Sequence, residues 1–292
     1  MKSLPVVAGP GGSVMLPKHF GPPLLFVPRP FLLILTAALL LPAPLESLFA
    51  EEKSATGEQT GFPLNPQELL AAVAKNTRPQ WRACFPDLAH DSAGDRRRTA
   101  LVLGALVADC YLAAEARDAQ QLRNQLMDMA AVEKSLSISK AMESGRQRLA
   151  DLAVAGDWAA LRDAIGDMVS LHSKTLKAQM DEPLAEIETL GLWLRTLQIS
   201  AVHTSKMAKT PDVPCIWSDA FLGSLEKRAA AAAKRDKDPT SLNALAAGMG
   251  SLKDLWTDET TPARAAERLA ATLTLLDKLT KELIYSTIAA PP

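Results

Sequence analysis

The chain has 292 residues, 48 % hydrophobic and only 5 % aromatic, with a formal net charge of −1 and three cysteines. That is enough apolar material for one sizeable core or two small ones. It excludes a disordered chain, a disulfide-dense mini-scaffold and a strongly basic nucleic-acid binder.

The first fifty residues stand apart from the rest. They hold nine of the twenty prolines, a density that no compact helix or sheet tolerates. Within them Phe31–Leu41 is an uncharged apolar run, preceded by Lys18 and Arg29 and followed by Ser47-Leu-Phe-Ala50 and Glu51-Glu52. A basic segment, a short apolar run and a small residue before an acidic start form the layout of a secretory signal peptide, which predicts export to the periplasm or the extracellular space. The lead before the run is long, so Met15 competes with Met1 as the start. The alternatives are an uncleaved N-terminal anchor and a misplaced start with no export. The run is shorter than the roughly 20 residues of a membrane span, and no cysteine near the cut could accept a lipid.

Without residues 1–50 the chain keeps 29 basic and 32 acidic side chains, a balance that argues against phosphate-backbone or anionic-lipid binding. Residues 51–61 are polar and read as a flexible tether, and 62–290 as a single folded domain. From residue 51 onward there are 43 Ala and 33 Leu but only 7 Ile and 8 Val, and no proline lies between Pro86 and Pro183. Strong helix formers outnumber the β-branched residues that favour strands, and no Asn-Gly or Asp-Gly hairpin turn occurs. The expected class is all-α: about nine helices as stacked antiparallel hairpins, in a bundle or a short α-solenoid.

Asn65-Pro-Gln-Glu68 opens the first helix, which runs to about Asn76. Residues 77–95, with Pro79, Pro86 and Gly94, read as irregular. Arg96 to about Arg117 is apolar all round at its centre, which predicts a helix covered by others. Asp118 caps the next, to about Ser135. Another spans about Ser139–Ala155 and stops at Gly156, and Asp157 caps its successor. Pro183 starts a helix with Leu184, Ile187, Leu190, Leu194, Leu197 and Ala201 along one side. Lys209–Cys215 is a linker, and helices of about Ile216–Arg235, Pro239–Trp256 and Pro262–Ile288 follow. Glu115–Met129 aligns with Val154–Met168 at an offset of 39 residues with six identities, among them Asp118/Asp157, Leu122/Leu161 and Met129/Met168. Two similar helix junctions in a bundle or one helical-hairpin unit used twice both account for it.

Signatures of catalysis are scarce. No G-x-S-x-G, H-E-x-x-H, P-loop, G-x-G-x-x-G, C-x-x-C or Glu-x-x-His occurs, which points away from an enzyme and gives no basis for a metal site, a haem or another cofactor. His90 sits in a polar loop beside Asp91. His172 and His203 lie on consecutive helices among apolar and hydroxyl neighbours, as structural histidines or as ligand contacts. Their unequal distances from the intervening turn argue against mutual contact. Asp109 interrupts the apolar run at Val107-Ala-Asp-Cys-Tyr111, and a carboxylate there must find a partner such as Arg195, helix amides or water. An internal ion pair and an acid facing a ligand cleft are the two readings. Of the cysteines, Cys110 lies on the covered helix. Cys84 and Cys215, in proline-flanked segments, form the pair to expect if a disulfide exists, with three reduced thiols as the alternative. The tryptophans are expected near helix ends, where the indole N–H has an outlet.

Three functions compete. The first is a non-enzymatic module of the cell envelope that binds a protein or peptide. The second is a small-ligand or cofactor binder, with enzymatic use, around Asp109 with His172 or His203. The third is a structural envelope protein without a specific partner.

Overall fold

The computed structural model describes residues 65–77, 79–86, 95–204, 217–257 and 262–285. All of them belong to one of the chain's two compact units, Ala50–Pro292. The leader, the tether, His90 and the Lys209–Cys215 linker lie outside the described residues.

Capping side chains decide where most of the helices begin. Asn65 opens α1 (Pro66–Asn76) reciprocally: its side chain accepts from the Glu68 N–H at 2.7 Å, and the Glu68 carboxylate accepts from the Asn65 N–H at 3.2 Å. A single 3₁₀ turn follows at Trp81–Cys84, inside the stretch read as irregular. Asp95 caps α2 (Arg96–Ala116) and Asp118 caps α3 (Ala119–Ser135). Next, α4 (Ser139–Ala155) starts without a side-chain cap, Asp157 caps α5 (Trp158–Ala178), and α6 spans Glu182–Thr204. Ser218 caps α7 (Asp219–Lys234), before α8 (Thr240–Thr257) and α9 (Pro262–Leu283). Among the described residues the chain is an all-α bundle of nine α-helices with no β-strand.

Two helices form its axis. Residues Thr99 to Ala114 of α2 are all buried, as the unbroken apolar run requires. By length and composition α2 could cross a membrane (mean hydropathy 1.5), but 89 % of that window is buried inside the protein. Its main neighbour is α6, which runs in the same direction: Gly191 lies by Leu101 and Arg195 by Asp109. The backbones nearly touch where they cross. A Cβ on Gly104 would stand 1.9 Å from the Glu188 carbonyl oxygen, and one on Gly191 would stand 2.0 Å from that of Leu101.

This crossing corrects the expectation of a single apolar side on α6. The helix is buried on nearly every face, and Trp193 sits at its middle against Phe221, ring centroids 4.9 Å apart, rather than at an end. Such burial is tolerated because the hydroxyls of Thr196, Ser200 and Thr204 bond back to carbonyls one turn earlier, at 2.7, 2.8 and 3.0 Å.

Around this axis α3 packs on α2, α4 on α3, α5 on α4, and α5 closes onto α2. On the other flank α7 and α8 pack together, and α9 lies against both α8 and α6. The two junctions related by 39 residues have the same local build. Arg117 and Gly156 both adopt left-handed backbone (φ 50° and 71°), and the next residue bonds back to Ala113 and to Leu152. Asp118 then caps through Gln121 N and Asp157 through Ala160 N, each at 3.1 Å. Downstream the helices differ by one turn: α3 has 17 residues and α5 has 21.

Candidate functional site

Asp109 points from α2 into the core and meets α6. It is fully buried, and its Oδ1 accepts from Arg195 Nε at 2.8 Å. Arg195 uses its remaining donors on Gln198 Oε1 at 2.5 Å and on the Cys84 carbonyl at 2.6 Å, while Gln198 Nε2 donates to Asp277 of α9 at 2.6 Å. One guanidinium thereby ties α2, α6, α9 and the 3₁₀ turn together. Burial opposes its charge, but Asp109, Tyr285 and Cys84 more than offset this and hold Arg195 above its ordinary value. Burial, and then the Asp109 charge, push the Tyr285 hydroxyl up despite the guanidinium 6.0 Å from its ring.

A second polar cluster lies between α3, α4, α5 and α6. His172, fully buried on α5, places Nδ1 2.7 Å from Glu188 Oε1 and Nε2 3.1 Å from Glu133 Oε1. Arg146 of α4 pairs with the other oxygen of Glu133. Both ring nitrogens therefore face carboxylate oxygens, one on α6 and one on α3. Glu133 and His172 stand 39 residues apart, the same offset as the paired junctions. Glu133, Glu188 and Arg146 were not singled out by sequence reasoning. Their signal was positional: Glu133 continues the buried series Leu122, Leu126 and Met129, and Arg146 falls between Met142 and Leu149.

His203, near the end of α6, adjoins the first arrangement through Cys84. Its Nε2 lies 3.2 Å from Cys84 Sγ, and its ring meets the edge of Trp81 with centroids 4.7 Å apart at 79°. His172 and His203 do not meet, whereas Asp109 and His203 are joined through Arg195 and Cys84. The other half of the Cys84–Cys215 pairing, Cys215, lies outside the described residues. Cys110 is buried on α2, where burial and the neighbouring Asp109 raise its thiol far above the ordinary range.

Among the described residues a groove of about 310 Å³ lies between α4 and α5 on the outer surface. Ala164, Met168 and Leu171 supply its apolar lining, and Ser144, Gly145, Arg148 and Asp167 the remainder. Arg148 and Asp167 pair across it at 2.9 Å, both more than half exposed. Gly145 makes room for Met168, whose Cε would stand 2.7 Å from a Cβ at that position. Among the described residues no group of three or more His, Cys, Asp or Glu side chains is disposed to hold a metal ion. Comparison of the chain with protein-family models, with curated proteins and with solved structures gives no match, so the residues themselves carry the functional argument.

Proposed function

We propose that the protein is exported and acts in the cell envelope as a non-enzymatic interaction module, with the groove between α4 and α5 as its binding face. The observation that carries this reading is the groove itself: an apolar lining of Ala164, Met168 and Leu171, spanned by the exposed Arg148–Asp167 ion pair. A flexible thioether adapts to partners of varied shape, and a polar rim around an apolar centre is the usual anatomy of a protein interface. The complementary partner is a peptide segment that presents an apolar side chain between an acid, facing Arg148, and a base, facing Asp167. The likeness of the two helix junctions supports a hairpin unit used twice, of which the second copy forms this face.

A photo-crosslinking residue at exposed Ser144, placed in the full chain in its native cells, tests the reading, with exposed Gln120 on α3 as the control position. A discrete adduct from Ser144 and none from Gln120 supports it. No adduct, or the same adducts from both positions, refutes it.

A second reading, a small-ligand site around Asp109, draws on the convergence of Asp109, Arg195, Gln198 and Asp277 in one network. It requires a bound species in the native mass spectrum that Asp109→Asn abolishes. An empty spectrum, with a change in stability alone, ends it.

A further inference from the structure

Away from the groove, the molecule sets a nucleophile against a base. We propose that Cys84 is a modification site: a thiol that His203 deprotonates for reaction with a small hydroperoxide. Three features carry this. The Sγ–Nε2 separation of 3.2 Å puts the proton acceptor in direct reach of the thiol. The edge contact from Trp81 fixes the plane of the imidazole, so that Nε2 faces the sulfur. The Arg195 guanidinium, bonded to the Cys84 carbonyl at 2.6 Å and shared with Asp109, adds a cation beside the sulfur as negative charge develops there.

The class of electrophile follows from access. Cys84 is 7 % exposed and lies beneath the exposed residues Arg82 and Ala83. A peptide disulfide would have to displace that turn, whereas a peroxide is small enough to approach through the 7 % of Cys84 that is exposed. His203 Nε2 takes the thiol proton, and the sulfur lone pair attacks one peroxide oxygen. The S–O bond forms as the O–O bond breaks, and the departing hydroxide takes the proton back from the imidazolium as water. Sulfur is oxidised by two electrons to the sulfenic acid, and the peroxide is reduced by two.

The full chain, reduced and then exposed to hydrogen peroxide with dimedone present, can be mapped cysteine by cysteine by mass spectrometry. Cys84 is expected to trap dimedone while buried Cys110 does not, and His203→Gln is expected to slow the labelling of Cys84 about a hundredfold. Should that variant fail to fold, the wild-type pH profile decides. Assisted by His203, the Cys84 rate stays nearly level between about pH 8 and about pH 7, where an unassisted thiol loses about eightfold. Labelling of Cys84 that follows the unassisted profile, equal rates in His203→Gln, or recovery of Cys84 in a disulfide with Cys215 overturns the proposal.

Discussion

Arg195 bonds to α2, to the 3₁₀ turn and to Gln198 of its own helix through one planar group, and its removal has a defined consequence. Arg195→Met removes the cation that pairs with buried Asp109, so unfolding in urea is expected to show a loss of about 3–5 kcal/mol. The double variant Asp109→Leu/Arg195→Met removes both charges, and most of that loss is expected to return; a double variant no more stable than the single would refute this account. At this scale the sequence reading found Asp109 and named Arg195 as a partner, because a carboxylate inside an apolar run has few places to go. It missed Glu133 and Glu188 because their segments carry other charges, Lys134 beside one and Glu186 near the other. Composition cannot separate a charge on the buried side of an amphipathic helix from one on the wet side; only its phase against the apolar series can. The Cys84–His203 contact spans 119 residues and left no local pattern to read.

Most helix starts were legible, since Asn65, Asp118 and Asp157 announce themselves by residue type, whereas the Ser218 cap was passed over and its helix begins at Asp219 rather than about Ile216. The close crossing of α2 with α6 was not legible. Gly191 continues the apolar stripe of Leu184 and Ile187 on α6, and its missing side chain marks the crossing, while Thr196 and Ser200, hydroxyl residues that usually mark a wet face, are buried on the opposite side. Gly191→Ala puts a methyl group 2.0 Å from a carbonyl oxygen of α2, with helix backbone rather than a flexible side chain in the way. Its expected cost is about 3 kcal/mol, at the upper end for overpacking, read from the urea midpoint. A loss below about 1 kcal/mol would mean that the helices part more easily than this geometry implies.

For the molecule as a whole, the buried weak acids set a limit on the alkaline side. Burial raises Cys110, Tyr111 and Tyr285, so the folded chain keeps three protons that the unfolded chain releases near 9.0 for the thiol and 10.0 for the phenols. Their contribution is therefore complete below about pH 8 and shrinks as pH rises from there, by about 1.4 kcal/mol per group for each unit above its unfolded value. Urea titrations from pH 8 to pH 11 are expected to show this fall, and Tyr111→Phe should flatten it above about pH 10. A stability that is level across that range would contradict the burial of these groups. The all-α class was legible from composition alone, because alanine and leucine dominate over β-branched residues across the domain. The pairing of α2 with α6 was legible only in the candidate Asp109–Arg195 pair, since the helices lie far apart in the chain and only folding brings them together.

The apolar rod α2 carries one more implication. If the protein is exported as proposed, its chain would thread this segment, unfolded, through a translocation channel that opens sideways to lipid. Sixteen consecutive residues destined for the interior would then be offered to the bilayer before α6 arrives to shield them. Asp109 makes that escape unfavourable, because an ionised carboxylate deep in hydrocarbon costs about 2.5–3.5 kcal/mol. The charge that Arg195 later neutralises would thus favour passage over arrest.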